Sequence, residues 1–291
     1  MADRHNDNIP ALGNQIASDI PDIKENLEWH KDILQMLIGW HNSTIGSLSP
    51  PGPQRSKFSW KDADEIYIGP GVYFHDGTTR QTVFWDATIT FKLGSGGSNA
   101  LSDDLTASAW QYIYIDDSAV VTQASQELDA DCFLNDTTAP TWSDSKHGWY
   151  NGSDRCIFAV ITSAASILYE FHNDGGDLVR FLPHDAAAEA APGNYASRDE
   201  KTLTLPGFCT KAQGRFRTTY VSSEDFAYVQ PKSYAESIGL VQVGFVNVAG
   251  TNDCVNTPVF TDSSQIIEVW TTNGDAKMKI TTEGWYFPTG M

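Results

Sequence analysis

Apolar residues alternate at three- and four-residue intervals near the start of the chain, and this spacing constrains the fold more than any other feature. The stripe consists of Ile20, Ile23, Leu27, His30, Leu34, Leu37 and His41. A helical stripe with this period is buried only against partner helices, so the sequence predicts a coiled-coil helix over residues 20–46. Pro21 is compatible with the first helical turn.

Three further apolar residues, Trp29, Ile33 and Ile38, widen the stripe. A wide stripe with mixed Leu and Ile at the core positions favours more than two strands, and we expect a parallel homotrimer. His30 and His41 would then meet around the axis. Three imidazoles there would suit an anion or a metal ion, but polar seam residues also serve only to fix the register, and the sequence leaves the metal question open.

The segments on either side of this helix differ from it in composition. Residues 1–19 are polar and interrupted by Pro10 and Gly13, which indicates a peptide that attaches to other proteins of an assembly. Residues 47–59 are rich in Pro, Gly and Ser, and the run Pro-Pro-Gly-Pro at residues 50–53 stops any helix. We therefore expect a linker there.

The rest of the chain has the short apolar runs and alternating patterns of β-strands. The fold predicted is mainly β, with two antiparallel β-sandwich-like domains at residues 60–184 and 201–291 and a linker at 185–200. Predicted strands include 83–85, 87–93, 110–115, 156–162, 167–171, 214–221, 238–248, 265–272 and 276–282. Asn273-Gly274 between the last two is a strong signal for a hairpin turn.

Charge and apolar content exclude several partners. The chain has 37 acidic and 19 basic residues and a formal net charge of −18, so we expect no nucleic-acid partner. No apolar run approaches the ~20 residues of a membrane span, and the first residues lack the pattern of a secretory leader, so we expect assembly in a cytoplasm and no membrane insertion. The four cysteines show no CxxC spacing; we expect reduced packing residues and no cofactor.

Paired carboxylates are the enzyme-like feature of the sequence, because enzymes that cleave glycans place two of them about 5–10 Å apart. The pairs Asp116-Asp117 and Asp129/Asp131 lie in predicted turns, where Asp serves backbone geometry. We therefore predict no catalytic residues and no enzyme. His147, Trp149 and Tyr150 form an aromatic and polar loop that would bind a ligand such as a sugar, unless it is ordinary loop packing.

Several segments carry a likeness to a known family: residues 105–116, Ala139-Pro140, Lys146-His147-Gly148, residues 154–157 and 160–162, and the C-terminal run from Val259 to Tyr286. They resemble a β-module of tail fibres, spikes and head fibres of tailed bacteriophages. The resemblance implies a trimer that is attached by its N-terminus and faces outward with its C-terminal part.

The expected function is therefore that of a bacteriophage virion protein, a trimeric fibre or spike anchored through residues 1–19 and able to adhere to a host surface glycan or protein. Its location would be the virion. Two alternatives stay open at this stage: a carbohydrate-active enzyme (depolymerase), and a purely architectural decoration or collar protein with no ligand. Head and tail positions are not distinguished.

Overall fold

A computed structural model describes residues 55–123, 126–173, 175–182, 188–219, 225–232, 234, 240–246, 252–272 and 276–291. The coiled coil with its seven stripe residues, the attachment peptide and most of the following linker lie outside these ranges. In the described ranges no helix is both long and apolar enough to cross a membrane.

Twenty strands and one short helix make up the described fold. The strands are β1 (Phe58–Trp60), β2 (Glu65–Ile68), β3 (Gly71–Asp76), β4 (Arg80–Trp85), β5 (Ile89–Lys92), β6 (Trp110–Ile115), β7 (Phe133–Asp136), β8 (Thr141–Ser143), β9 (Gly148–Asn151), β10 (Asp154–Ile161), β11 (Glu170–Asn173), β12 (Leu178–Leu182), β13 (Ala188–Asn194), β14 (Asp199–Thr202), β15 (Lys211–Thr219), β16 (Asp225–Pro231), β17 (Val241–Val246), β18 (Asn252–Phe260), β19 (Ile266–Thr271) and β20 (Lys277–Tyr286). Helix α1 spans Asp117–Thr122, and a single 3₁₀ turn spans Ala130–Cys132. The prediction of a mainly β chain is confirmed.

The described strands form four sheets, and all the strand pairings are antiparallel. Nine strands form the largest sheet in the order β18-β15-β20-β12-β11-β1-β2-β5, with β13 also paired to β20. A five-stranded sheet has the order β7-β6-β10-β9-β8, a four-stranded sheet the order β14-β19-β16-β17, and β3 pairs with β4 alone. Buried apolar residues from all four sheets belong to one contiguous core.

Aromatic side chains join the largest sheets at the centre of this core. Phe58 of β1 stacks on Phe158 of β10, with ring centroids 4.0 Å apart and an interplanar angle of 5°. Trp285 of β20 packs against the same Phe158 ring at 5.8 Å. Both phenylalanines and Trp285 are fully buried, so aromatic burial couples the five-stranded sheet to the nine-stranded sheet.

Two local predictions differ from the structure. The expected linker at residues 185–200 contains β13, paired with β20, and the start of β14, paired with β19. The nine-stranded sheet also takes strands from both sides of that segment, so the expected boundary does not coincide with a boundary between sheets. The division into two domains itself stays a prediction.

The predicted hairpin at Asn273-Gly274 is wrong. Strand β19 pairs with β14 and β16, whereas β20 pairs with β15, β12 and β13. The two strands belong to different sheets, so the chain passes from the four-stranded sheet to the nine-stranded sheet between them. Residues 273–275 lie outside the described ranges. At the start of β20, Met278 and Ile280 are buried while Lys277 is exposed, so successive residues there point to opposite faces.

Candidate functional site

The β8–β9 hairpin contains the three ligand-binding residues predicted from the sequence. Its register pairs Thr141 with Tyr150, Trp142 with Trp149, and Ser143 with Gly148. A four-residue loop, residues 144–147, joins the strands, and β8 is the edge strand of its sheet. His147 at the end of the loop is exposed and has a φ of 51°, the left-handed conformation that lets the chain turn into β9.

Trp142, which the sequence analysis did not select, presents the accessible ring of this hairpin. Its side chain is 40% exposed. The ring of Trp149 meets it edge-on across the hairpin, with centroids 5.7 Å apart. Nε1 of Trp142 donates a hydrogen bond of 2.7 Å to Oδ1 of Asp144. Gly290, which has a φ of 85°, lies against Trp142 so closely that a Cβ there would be 2.4 Å from Cζ3.

Trp149 supports Trp142 and is itself half-buried. Its Nε1 donates a 3.0 Å hydrogen bond to the carbonyl oxygen of Thr289. Its ring packs on that of Phe208 at 5.8 Å, and Phe208 packs on buried Trp285 at 5.5 Å. Trp149 therefore anchors the hairpin to the core and shares only part of the accessible surface.

Tyr150 lies on the opposite face of β9 and is only 3% exposed. Its hydroxyl accepts a 3.0 Å hydrogen bond from the backbone N–H of Asp76, and the Lys146 ammonium lies 4.6 Å from its ring centre. The guanidinium of Arg155 approaches the same ring at 5.7 Å. The structure thus places Tyr150 among the groups that fix the hairpin, and the expected stacking of a ligand on its ring has no open face to use.

A second polar cluster lies where the turn after β3 meets α1. His75 is fully buried, and its Nε2 lies 2.9 Å from Oδ1 of Asp117. Thr78 donates to both carboxylate oxygens of Asp117, from its backbone N–H at 2.9 Å and from its hydroxyl at 2.5 Å. The backbone N–H of Asp117 donates to Oδ1 of Asp154 at 2.8 Å. The cluster ties three chain segments together.

Burial sets the protonation of this cluster. It lowers the pKa of His75, against the opposing effect of Asp117. Burial also acts to raise the pKa of Asp117, but hydrogen bonds from Thr78 and His75 outweigh it and hold that pKa below its usual value. The pKa of Asp154 is raised by burial and by neighbouring carboxylates. The histidine is therefore neutral and the aspartate ionised at neutral pH.

One residue of each acidic pair, Asp116 or Asp129, serves backbone geometry, as expected from the sequence. Asp116 caps α1, with its Oδ1 2.9 Å from the backbone N of Ser118, and its Oδ2 accepts from Asn99. Asp129 caps the 3₁₀ turn by accepting from the backbone N–H of Asp131 at 3.1 Å. Within the described ranges, no three His, Cys, Asp or Glu side chains are arranged to hold a metal ion.

Comparisons with known proteins identify no family. No family model matches the chain, and no curated protein matches it. Two solved structures are similar over 84% of this chain. The first is a Cry1Da tryptic core variant of Bacillus thuringiensis, which has 9% sequence identity and a TM-score of 0.23, with 54% of that chain covered. The second is infectious bursal disease virus Gt strain, which has 11% identity and a TM-score of 0.19, with 80% of that chain covered. The chain thus spans about half the length of the Cry1Da core. At these TM-scores neither likeness bears on fold or function.

Proposed function

We propose that this chain is a structural protein of a bacteriophage virion, a trimeric fibre or spike that adheres to a host surface. In this proposal residues 1–19 bind other virion proteins, residues 20–46 form the coiled coil, and two β-sandwich-like domains follow. The resemblance of several segments between residues 105 and 162, and of the run from Val259 to Tyr286, to phage fibre modules supports it, and the antiparallel β architecture is compatible with it. The observation that carries adhesion is the exposed ring of Trp142 on the β8–β9 hairpin, where it packs against Trp149.

Trp142 has the features of a stacking platform for a sugar ring. It is a large flat surface held by Trp149 and Gly290, so little side-chain freedom remains to be lost on binding. The carboxylate of Asp144 in the adjoining loop accepts a hydrogen bond from its indole N–H. A few polar groups beside an aromatic surface are typical of sites that orient a small polar ligand.

The acidic pairs support binding without hydrolysis. Glycan cleavage needs one carboxylic acid with a raised pKa and a second, ionised carboxylate facing the same bond. Asp116 and Asp129 instead accept hydrogen bonds from the backbone at the starts of α1 and the 3₁₀ turn. Asp154, whose pKa is raised, accepts from the backbone N–H of Asp117, and both carboxylate oxygens of Asp117 accept hydrogen bonds from Thr78. We therefore propose an adhesin that leaves its glycan intact.

Two variants of the full chain test adhesion. Trp142→Ala removes the platform, whereas Phe74→Ala removes a ring of equal exposure, 41%, on another strand. On an array of bacterial surface polysaccharides, the wild type and Phe74→Ala should bind the same glycans, and Trp142→Ala should lose them while remaining folded. Equal binding by both variants, or shortening of the bound polysaccharide, would contradict the proposal. Wild type that binds no glycan would favour the architectural role.

The virion location has its own test. An antibody against this chain should label intact phage particles at fixed positions in electron micrographs. A chain that lacks residues 2–19 should stay folded and trimeric but should not be incorporated into those particles. Normal incorporation of the truncated chain would contradict the assignment of residues 1–19 as the attachment peptide.

A further inference from the structure

Three neighbouring strands of the nine-stranded sheet, β18, β15 and β20, form the outer surface considered next, and their register shows which residues share it. On β15, Lys211, Gln213, Arg215, Arg217 and Thr219 alternate with Ala212, Gly214, Phe216 and Thr218. The first set pairs across to Phe260, Pro258, Asn256, Cys254 and Asn252 of β18. On the other side, Arg217 pairs with Lys279 and Thr219 with Lys277 of β20. Cross-strand partners share a face, so these residues form one surface.

Burial shows which face is open among the described residues. Phe216, Thr218, Met278 and Ile280 are fully buried and point into the core. On the other face Arg217, Lys277, Asn252, Cys254, Asn256, Pro258 and Phe260 are exposed and Lys211, Arg215 and Lys279 are half-buried, whereas Gln213 is buried. We name this accessible surface the β15 face.

Positive charge collects on the β15 face although the chain as a whole is acidic. It carries Lys211, Arg215, Arg217, Lys277 and Lys279, in a protein with a formal net charge of −18. The carboxylate of Glu283 lies 3.5 Å from Nη1 of Arg215. Because the rest of the protein repels anions, a local basic surface fixes where an anionic partner binds and how it is oriented.

One end of the β15 face combines a cation with two aromatic rings. Nζ of Lys211 lies 4.3 Å from the ring centre of Tyr286 and 5.5 Å from that of Phe260. The ring of Phe260 is 59% exposed, and the hydroxyl of Tyr286 donates a 2.7 Å hydrogen bond to Oε1 of Gln213. An exposed ring beside an ammonium group matches a sugar that bears a carboxylate or sulfate.

We propose that the β15 face binds a linear acidic polysaccharide. Along a strand each residue advances ~3.3 Å, so Lys211 and Arg217 are separated by ~20 Å, and Arg215, which forms an ion pair with Glu283, lies between them. A polymer with an anionic group on successive sugars would contact several of these cations at once, while one sugar stacks on Phe260. This surface is separate from the β8–β9 hairpin, and the inference does not rest on the proposed function.

The test uses the full chain and polygalacturonate, a linear polymer with a carboxylate on each sugar. The wild type should bind it by isothermal titration calorimetry and should not bind dextran, a neutral polysaccharide. The double variant Arg217→Glu with Lys277→Glu should bind about tenfold or more weakly. Its matched control, Lys57→Glu with Lys92→Glu, changes net charge by the same amount at exposed residues outside the β15 face and should bind nearly as the wild type does.

A third variant, Phe260→Ala, separates sugar recognition from charge attraction. It should weaken polygalacturonate binding while leaving thermal stability unchanged, because the ring is exposed. Equal weakening by the two double variants would overturn the proposal. So would binding of poly-glutamate or of a single-stranded oligonucleotide as tight as that of polygalacturonate, because the face would then recognise charge on another class of polymer. Trp142→Ala should leave polygalacturonate binding intact. Failure of the β15-face proposal can therefore be told apart from failure of the proposed adhesion through the β8–β9 hairpin.

Discussion

The Nε2 atom of His75 lies 2.9 Å from Oδ1 of Asp117, and this buried pair joins β3 to the first residue of α1. Burial lowers the pKa of His75 below its ordinary value of 6.5, and the positive charges of Arg155 and Lys146 act in the same direction. Below that pH the unfolded chain therefore binds more protons than the folded protein, so stability falls as the pH falls.

The first prediction compares the wild type with His75→Gln between neutral pH and about pH 5. The amide of Gln can still donate to Asp117 but does not titrate. The free energy of unfolding of the wild type should fall more steeply with decreasing pH, with a difference in slope of up to about 1.4 kcal/mol per pH unit for one proton. Asp154, whose raised pKa acts in the opposite sense, is present in both proteins and cancels. Parallel curves from urea unfolding would contradict this assignment.

The second prediction concerns buried Arg155, which joins β10 to two other segments. Its guanidinium donates to the carbonyl oxygens of Phe74 and Gly290, the latter at 3.0 Å. Arg155→Met leaves both acceptors without this partner, and we expect a loss of about 1–3 kcal/mol for each in the free energy of unfolding. Arg80→Met is the control: its ion pair with Asp76 is exposed on the arginine side, so the loss should stay below about 1 kcal/mol. A loss for Arg155→Met that also stays below about 1 kcal/mol would show that Arg155 is not structural.

Sequence patterns predicted the strands that are apolar and buried on both faces. They missed polar or Ala-rich strands, which only their backbone hydrogen bonds to neighbouring strands define. Strand β6 is apolar except for Gln111, and β10 is apolar after Asp154 and Arg155, so their composition alone indicates them. Strand β18 is polar and contains Pro258, and β13 is rich in Ala, so neither shows the alternation that marks a strand. Both are held by hydrogen bonds to β15 or β20, partners distant in sequence that local patterns do not reveal.

The candidate site was predicted only in part for a related reason. His147, Trp149 and Tyr150 were selected together because they are close in sequence, but consecutive residues of a strand point to opposite faces. Tyr150 is therefore buried while Trp149 reaches the surface. Trp142 is the cross-strand partner of Trp149, and only the register of the hairpin brings the two indoles together. A two-residue alternation test on residues 148–151 would have separated Trp149 from Tyr150.

The third prediction concerns the four cysteines, which are all free thiols in the structure. The prediction of packing residues is confirmed for three of them, whereas Cys254 is exposed. Burial raises the pKa of Cys132 and of Cys209 to about 11 and that of Cys156 well above its usual value. Because the thiolate is the reactive form, the folded chain should show one fast thiol near neutral pH in an assay with Ellman's reagent.

The unfolded chain should release all four thiols in the same assay, and Cys254→Ser should abolish the fast reaction while leaving three slow ones. The buried thiols should react only at the rate of local opening or unfolding. A folded chain with two or more fast thiols would contradict the burial described for β10 and its neighbours. A folded chain with no fast thiol would place Cys254 in an interface.

The last prediction tests the trimer expected from the stripe at residues 20–41, which lies outside the described part of the chain. Sedimentation equilibrium should give three times the chain mass of 32.0 kDa. Leu27→Ala and Leu34→Ala should each weaken association by about 2–5 kcal/mol for a fully packed leucine, because each removes a buried side chain from the seam. Gln35→Ala, one residue off the stripe, should leave the trimer unchanged. A wild type that is monomeric at micromolar concentration, or a Gln35→Ala variant that dissociates as readily as Leu34→Ala, would show that the spacing does not form a coiled coil.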